Sequence, residues 1–373
     1  MTCGDFLPLS WTDCPENPVI RPPWPEFLIA DPTFATPAET PDGAWHLFAH
    51  GIVAGIHHFR SEDGVRWNRI GRVGPGLRPY LFRGADWILF HERIVSPLRS
   101  VVAIRRSSDL VRWSRPEVVL EPSLPWEGRL FSTNGNPCLA DAGGSFRLYY
   151  SAGLSWLADC GFPEPRFIGV AQAERPEGPF VKEREPMLSP SPAIPHRNLG
   201  AGSIKVVRDP ATGRWLGFHN GIYVDSRGRS RSDIRLLVSP DGLQWVEALD
   251  RPLVAPEPGW KAGLVYACDV RMHVGEWRMY YNARDGWALG VERIGMATSR
   301  RLLECGGLPP LSKRRQACAL AFVQFTASRT LAVLVLVLVT VLVTVLVHAQ
   351  TWAYSQSGPV HLPIFVSIEK MGR

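Results

Sequence analysis

Five short segments of this chain share one pattern, and this repeat constrains the fold more than any other feature of the sequence. Each segment begins with Trp or Phe, carries an aromatic residue at its fourth position and ends in a polar residue at its sixth. Each also follows an apolar segment and a turn, and is followed by a third apolar segment. The five are WHLFAH from Trp45, WILFHE from Trp87, FRLYYS from Phe146, WLGFHN from Trp215 and WRMYYN from Trp277.

Three of the repeats continue into related turns: SEDGVRW from Ser61, SSDLVRW from Ser107 and SPDGLQW from Ser239. An aspartate in such a turn accepts hydrogen bonds from nearby backbone amides, and a glycine supplies an unusual φ. We expect the tryptophan that follows to start an outer strand and to pack between neighbouring units. The repeated unit is therefore strand–turn–strand–loop–strand–turn–strand.

Four antiparallel strands repeated five times are typical of a five-bladed β-propeller. The sequence predicts an all-β fold, a propeller over residues 19–299, with blades opening near positions 31, 78, 136, 203 and 269. No apolar pattern with a helical period interrupts this part of the chain. The alternative is a β-sandwich in which the five segments are alike by chance.

The charge distribution gives no reason to expect nucleic-acid binding. Eight of the 41 Lys and Arg residues and two of the 35 Asp and Glu residues lie from residue 300 onward, which leaves 33 of each in the propeller region. A neutral body lacks the basic surface that nucleic acids require. The seven cysteines include no C-x-x-C pair, so we expect buried thiols in a reducing compartment and neither a metal nor another cofactor. The N-terminus has no apolar signal segment, which favours a cytoplasmic protein.

The repeats resemble those of the five-bladed glycoside hydrolases, the superfamily of arabinanases, xylosidases, invertases and levansucrases, and family 43 most nearly. The residues that carry the resemblance are ADPTF around Asp31, the serine–tryptophan turns, NGNPCL at residues 134–139 and the paired tyrosines at strand ends. It covers roughly residues 20–300 of the chain. It implies a carbohydrate ligand in a central pocket.

The resemblance also implies three acids near the propeller axis, of which only one is present here. Asp31 matches the aspartate that opens blade one as general base or nucleophile. Where the family has an aspartate and a glutamate to open blades two and three, this sequence has Arg78 and Asn136. Glycoside cleavage needs a carboxylic acid to protonate the leaving oxygen, and an amide cannot replace it. Two hypotheses remain: a glycoside hydrolase with an unconventional acid, or a catalytically inactive glycan-binding propeller.

Propeller geometry predicts which polar side chains meet at the pocket. The start of each first strand and the end of each second strand lie on the same face, and polar residues occupy both places. Convergent polar groups of this kind are typical of a ligand site. The inner ring is Asp31, Arg78, Asn136, Ser203 and Asp269, and the second ring is His50, Glu92, Ser151, Asn220 and Asn282.

Three of these residues are candidates for catalysis, each with a structural alternative. Asp31 is the predicted base, or a turn aspartate before proline. Glu92 is a replacement acid whose pKa is raised by burial, or the partner of Arg78 or Arg93 in an ion pair. Asp269 is a second carboxylate, or a hydrogen-bond partner of a neighbouring blade.

The remaining candidates would bind substrate. Arg78 would hold a carboxylate or a pair of sugar hydroxyls, or else form a salt bridge with Asp31 or Glu92. Asn136, His50, Ser203, Asn220 and Asn282 would complete the polar lining. Exposed indoles stack on sugar faces, and three tryptophans outside the strand pattern are predicted to do so, unless they serve only to pack loops: Trp126, Trp156 and Trp287.

The chain changes character after residue 299. Residues 330–347 contain no charge, and 18 residues lie at the low end of what spans a bilayer. The basic residues 313–315 precede this stretch and would keep the propeller cytoplasmic and membrane-anchored. The alternative is a non-native tail, because no outer strand of blade five follows ATSRR.

Overall fold

The chain forms five four-stranded antiparallel sheets, which confirms the five-bladed propeller and excludes a sandwich. The computed structural model describes residues 10–209 and 212–300. Within that part of the chain the only helices are two short 3₁₀ turns, Pro125–Glu127 and Pro195–Arg197.

In the first four blades, the strands follow one another along the chain from the propeller axis outward. Their middle strands are buried on both sides because each blade is covered by its two neighbours. Blade one contains β2 (Ala30–Ala35), β3 (Trp45–His50), β4 (Ile56–Ser61) and β5 (Asn68–Gly74). Blade two contains β6 (Leu77–Arg83), β7 (Trp87–Ser96), β8 (Arg99–Ser107) and β9 (Glu117–Leu120). Blade three contains β10 (Asn134–Asp141), β11 (Phe146–Leu157), β12 (Phe162–Ala173) and β13 (Val181–Lys182). Blade four contains β14 (Gly200–Arg208), β15 (Trp215–Val224), β16 (Ser230–Ser239) and β17 (Val246–Glu247).

Blade five takes its outer strand from the other end of the propeller. Its first three strands are β18 (Leu264–His273), β19 (Glu276–Arg284) and β20 (Glu292–Arg300), and its fourth is β1 (Thr12–Asp13). Thr12 pairs with Thr298, and the Asp13 carboxylate accepts hydrogen bonds from Lys261 Nζ at 2.5 Å and Tyr281 Oη at 2.8 Å. A segment before residue 19 thus supplies the outer strand of blade five.

The serine–tryptophan turns have the geometry that their sequence predicts. In the first turn, Asp63 Oδ1 accepts from the amides of Val65 and Arg66, each at 2.8 Å, and Ser61 Oγ accepts from the Gly64 amide at 2.9 Å. The turns of blades two and four repeat the aspartate contacts. These bonds satisfy amides that no strand pairs with.

The tryptophan after each turn packs against the preceding blade, as predicted. The ring pairs are Trp67 with Tyr280, Trp113 with Phe48, and Trp245 with Tyr149, with centroids 5.5, 5.6 and 6.3 Å apart. Both tyrosines also bond to the turn itself: Tyr280 Oη donates to Gly64 O at 2.6 Å and Tyr149 Oη to Gly242 O at 2.8 Å. The repeated motif therefore joins neighbouring blades.

The predicted hydrophobic span at 330–347 lies outside the described residues. Within residues 10–209 and 212–300, no helix has the length and apolar character needed to cross a membrane. The four cysteines in this part of the chain, Cys14, Cys138, Cys160 and Cys268, are free and buried.

Candidate active site

Every inner strand has the same irregularity near its start, and this irregularity shapes the mouth of the axis. Two residues of the inner strand bulge opposite one residue of the second strand. In the first three blades the first bulged residue adopts a left-handed conformation, with φ of 49° at Asp31, 50° at Arg78 and 45° at Asn136. A left-handed non-glycine residue costs about 1–2 kcal/mol, and such strain collects at functional sites.

In three blades, the polar residue at the end of the second strand contacts the bulge of the next blade. These contacts give a structural role to the polar sixth position of those three repeats. Three contacts of this type join successive blades: the Arg78 amide donates to His50 Nδ1 at 3.2 Å, the Asp31 amide donates to Asn282 Oδ1 at 3.2 Å, and Ser151 Oγ donates to Gly202 O at 2.7 Å.

His50 lies beside Asp31, with 3.4 Å between Nδ1 and Oδ2. Burial lowers the pKa of His50, although the charge of Asp31 opposes this shift. The ring is therefore neutral at neutral pH, and because Nδ1 accepts the Arg78 amide, its proton lies on Nε2. His50 consequently supplies no positive charge to neutralise Asp31.

Glu92 forms an ion pair with Arg78, which is one of the alternatives that the sequence left open. Arg78 Nη1 donates to Glu92 Oε2 at 2.6 Å, and the Glu92 carboxyl packs so closely on Gly135 that a Cβ there would lie 2.1 Å from Oε2. An ion-paired carboxylate accepts hydrogen bonds and holds its partner in place. Glu92 is thus better placed to orient Arg78 than to protonate a leaving group.

Asp269 lies deeper in the propeller than Asp31. The pairing of β18 with β19 places Tyr266 at the first bulged position of blade five, and Asp269 lies three residues further along the strand. Its Oδ2 accepts from Thr33 Oγ1 at 2.8 Å and from the Phe34 amide at 3.2 Å. The carboxylate thus connects blades five and one. The sequence pattern predicts Asp269 as the first residue of the inner strand and so places it at the mouth. The strand in fact begins at Leu264, five residues earlier.

The other predicted polar residues differ in how fully they are satisfied. Ser203 Oγ donates to Asn220 Oδ1 at 2.6 Å, so these two side chains bond mainly to each other. Asn136 is 5% exposed, and its Oδ1 has no hydrogen-bond partner among the described residues.

Two of the three candidate tryptophans make specific packing contacts. Trp126 stacks on Tyr150 with centroids 5.9 Å apart, and Trp287 Nε1 donates to Ser230 O at 2.9 Å. Trp156 lies within β11, not in a loop, and is 51% exposed. Of the three indoles, only that of Trp156 is presented mainly to solvent.

Two carboxyls at the mouth were missed by the sequence reasoning, Glu164 near the start of β12 and Glu292 at the start of β20. In an antiparallel blade the third strand starts where the second ends, so its first residues also face the pocket. Polar residues at the starts of third strands were therefore a usable signal in the sequence. Our prediction missed Glu164 and Glu292 because it used only the starts of first strands and the ends of second strands.

The hairpin that carries Glu164 is longer than those of the other blades. Its strands β11 and β12 have 12 residues each, and its tip reaches blades four and five. There Asp159 accepts from the amide and the hydroxyl of Ser230, at 2.9 and 2.5 Å. Leu157 and Cys160 pack in one apolar cluster with Tyr266. The hairpin thereby brings Glu164 into the electrostatic environment of Asp31 and Glu292.

Glu164 has no hydrogen-bond or ion-pair partner among the described residues. Burial raises the pKa of its carboxyl to about 8; the charges of Glu292 and Asp31 add to this shift, and those of Arg78 and Arg284 oppose it. The side chain is therefore mostly protonated at neutral pH.

Glu292 is held by two donors on the neighbouring strand. Arg284 Nη1 and Asn282 Nδ2 donate to its two oxygens, each at 3.3 Å. Burial raises the pKa of Glu292, the charge of Arg284 opposes the shift, and that of Asp31 adds to it. Three carboxyls from three blades therefore share the mouth, which is the condition under which acids acquire different protonation states.

Two clefts in the described part of the chain lie away from these carboxyls. One, of about 550 Å³, is lined by residues of blades two and three that include Arg106, Glu117 and Arg175. The other, of about 470 Å³, is lined by His196, Tyr223 and their neighbours. Neither brings together unpaired carboxyls, so the mouth of the axis is the better candidate for chemistry.

The fold is shared with solved structures of carbohydrate-active proteins. An α-L-arabinofuranosidase from Podospora anserina, determined in complex with cellotriose, has a TM-score of 0.55 and 14% identity, with 78% of this chain and 96% of that chain covered. A glycosyl hydrolase from Bacteroides ovatus has a TM-score of 0.58 and 12% identity, over 78% and 94% of the two chains. A β-1,2-mannobiose phosphorylase from Listeria innocua has a TM-score of 0.55 and 12% identity, over 78% and 96%.

No protein-family model matches the sequence, and no curated protein matches it significantly. The likeness to the solved structures establishes the five-bladed fold of the resemblance. Because those structures include hydrolases and a phosphorylase, the fold does not define the reaction, and the function has to be argued from the residues at the mouth.

Proposed function

We propose that this protein is a glycoside hydrolase in which Glu164 is the general acid and Asp31 is the base or nucleophile. The observation that carries the proposal is the Glu164 carboxyl, which has no partner among the described residues and, in the electrostatic environment of Glu292 and Asp31, is mostly protonated at neutral pH. The acid that is absent from position 136 is thus replaced from the third strand of the same blade.

The chemistry follows from the two environments. The Glu164 O–H bond breaks as its proton passes to the glycosidic oxygen, and the carbon–oxygen bond breaks with its electron pair on that oxygen. Asp31 either removes a proton from the water that attacks the anomeric carbon or attacks that carbon directly. A pKa of about 8 keeps the Glu164 carboxyl protonated, and so able to donate its proton, over the neutral pH range.

The surrounding residues position Asp31 and raise the pKa of Glu164. Asn282 bonds both the Asp31 amide and Glu292, and His50 bonds the Arg78 amide. The negative charge of Glu292 raises the pKa of Glu164. The Asn282 contacts position the Asp31 backbone and Glu292, and orientation of the base is one requirement for productive catalysis.

The second candidate function is a glycan-binding propeller without catalytic activity. It is favoured by Arg78 and Asn136, which stand where the resembling family has two of its three acids. In that case the polar mouth would bind a carbohydrate ligand and Glu164 would serve only to shape the site.

Two variants and two kinds of substrate test the proposal. A panel of 2,4-dinitrophenyl glycosides provides leaving groups that need little acid assistance, and the matching methyl glycosides or disaccharides need much. Glu164→Gln should lose about 10²–10⁴-fold in turnover of the second kind and retain most activity on the first. Asp31→Asn should lose activity on both.

Controls separate catalysis from folding. Glu185→Gln alters an exposed glutamate of blade three and should match the wild type on every substrate. If the panel shows no turnover while glycans still bind, the binding function is correct and the catalytic proposal fails. Equal losses of Glu164→Gln on both substrate kinds would also contradict the assignment of Glu164 as the acid.

A further inference from the structure

Tyr266 occupies the position in blade five that corresponds to Asp31, Arg78 and Asn136. It is the first of the two bulged residues between Val265 and Cys268. Its ring packs with residues of the hairpin that carries Glu164, including Leu157 and Cys160. The side chain is therefore fixed between blade five and that hairpin.

The hydroxyl of Tyr266 is buried without a hydrogen-bond partner among the described residues, and the residue is only 4% exposed. Three other buried tyrosines, Tyr149, Tyr280 and Tyr281, each donate to an acceptor, whereas Tyr150 shares the unpartnered state of Tyr266. An unpartnered buried hydroxyl is destabilising. Such a group in a polar site suggests a partner that appears only in another state of the site.

Charged residues of the candidate active site act electrostatically on this hydroxyl. The charges of Glu164 and Glu292 add to the effect of burial in raising the pKa of Tyr266, and that of Arg284 opposes it. The phenol thus keeps its proton and can only act as a neutral donor or acceptor. Glu164 carries its own proton in the resting site and does not require another donor.

We propose that Tyr266 is a positioning residue whose hydroxyl donates a hydrogen bond to the Glu164 carboxylate once Glu164 has released its proton to the leaving group. This inference rests on the proposed role of Glu164 as general acid. In the resting site the hydroxyl has no hydrogen-bond partner among the described residues, and after proton transfer Glu164 would offer it an anionic acceptor.

This hydrogen bond would stabilise the transition state of glycoside cleavage and not the substrate complex. A hydrogen bond that forms as charge develops stabilises the transition state more than the ground state, which raises kcat and not merely affinity. Hydrogen bonds to charged groups are about twice as strong as neutral ones. Loss of this bond should lower turnover about ten- to a hundredfold where acid assistance is needed.

Tyr266→Phe removes only the hydroxyl and tests the inference. The variant should be at least as stable as the wild type, because no existing bond is lost. It should lose about ten- to a hundredfold in kcat on methyl glycosides or disaccharides and almost nothing on dinitrophenyl glycosides. Tyr150→Phe is the matched control: that hydroxyl is equally buried and unpartnered, but it lies near Glu127 and Trp126, away from the mouth carboxyls.

A second measurement needs no substrate. The stability difference between Tyr266→Phe and Tyr266→Phe/Glu164→Gln, followed against pH, reports the pKa of Glu164 without its donor. That pKa should be higher than in the wild type by about one unit, whereas Tyr150→Phe should leave it unchanged. The charged and titratable groups that face Glu164 and stay constant in this comparison are Arg78 on β6, Asp31 on β2, Arg284 on β19 and Glu292 on β20.

The outcomes distinguish the two proposals. If Glu164→Gln matches the wild type on poor leaving groups, the proposed function fails, whatever Tyr266→Phe does. If Glu164→Gln loses activity but Tyr266→Phe matches the wild type in turnover and in the pKa of Glu164, only the inference about Tyr266 is overturned. A selective loss with an upward shift of that pKa supports both.

Discussion

Replacement of Glu164 by Gln should stabilise the protein, and the gain should grow with pH. The wild-type carboxyl has a pKa of about 8 in the folded state, against a usual value of 4.5. Between these values the unfolded chain releases the proton while the folded protein keeps it. The free energy of unfolding therefore falls as pH rises from about 4.5 to 8, by up to about 1.4 kcal/mol per pH unit. Glutamine does not titrate, so the variant lacks this decline.

The size of the effect follows from the same linkage. Below about pH 4.5 the carboxyl is neutral in both states, and the two proteins should differ little in their pH dependence. By pH 7 the variant should be more stable than the wild type by about 3 kcal/mol, relative to the difference near pH 4.5. The gain should level off above about pH 8, where both states of the wild type are ionised.

Urea unfolding followed by tryptophan fluorescence at several pH values between 4.5 and 8.5 measures this difference. Glu185→Gln, at an exposed position, should show no comparable pH-dependent gain. A difference between Glu164→Gln and the wild type that stays constant over this range would refute the raised pKa and, with it, the protonated resting state of the acid.

Three further predictions concern the propeller scaffold and the inner ring of polar residues at the mouth. Lys182→Met should cost about 3–5 kcal/mol in urea unfolding, because the fully buried Glu127 carboxylate would lose its cation at 2.5 Å. Tyr280→Phe should cost about 1 kcal/mol in the same assay, because its 2.6 Å bond to Gly64 O joins blades five and one; a neutral result would contradict the role assigned to the turns. Asn136→Glu should not raise kcat on poor leaving groups if the acid already comes from β12, and a gain near 10²-fold would show that position 136 was the missing acid.

The fold followed from the sequence because its signal is repeated. Any one of the five aromatic segments is an ordinary strand, but their common spacing with turns and neighbouring apolar segments specifies blades. The roles of the turn residues were also predictable. Asp63 accepts a hydrogen bond from a turn amide, and Trp67 packs against Tyr280 of the neighbouring blade. The closing strand β1 was missed because two residues, Thr12 and Asp13, carry no periodic pattern.

The candidate site was less predictable because its key groups depend on register and on a hairpin whose reach exceeds that of its neighbours. A shift of three residues at the start of β18 exchanges Asp269 for Tyr266 at the mouth. Glu164 lies between two prolines in a segment that resembles a loop, yet it pairs with Ser155 in a regular ladder. Local sequence indicates neither fact, since both are decided by pairing between strands.

The most direct test of Glu164 as the acid and Asp31 as the base is a crystal structure of Glu164→Gln with an intact oligosaccharide that the wild type cleaves. We expect the amide at position 164 to lie within about 3 Å of the glycosidic oxygen and the Asp31 carboxylate to face the anomeric carbon, directly or through one water. A sugar bound in the cleft beside His196 and Tyr223, or in the mouth with its glycosidic oxygen remote from position 164, would contradict it.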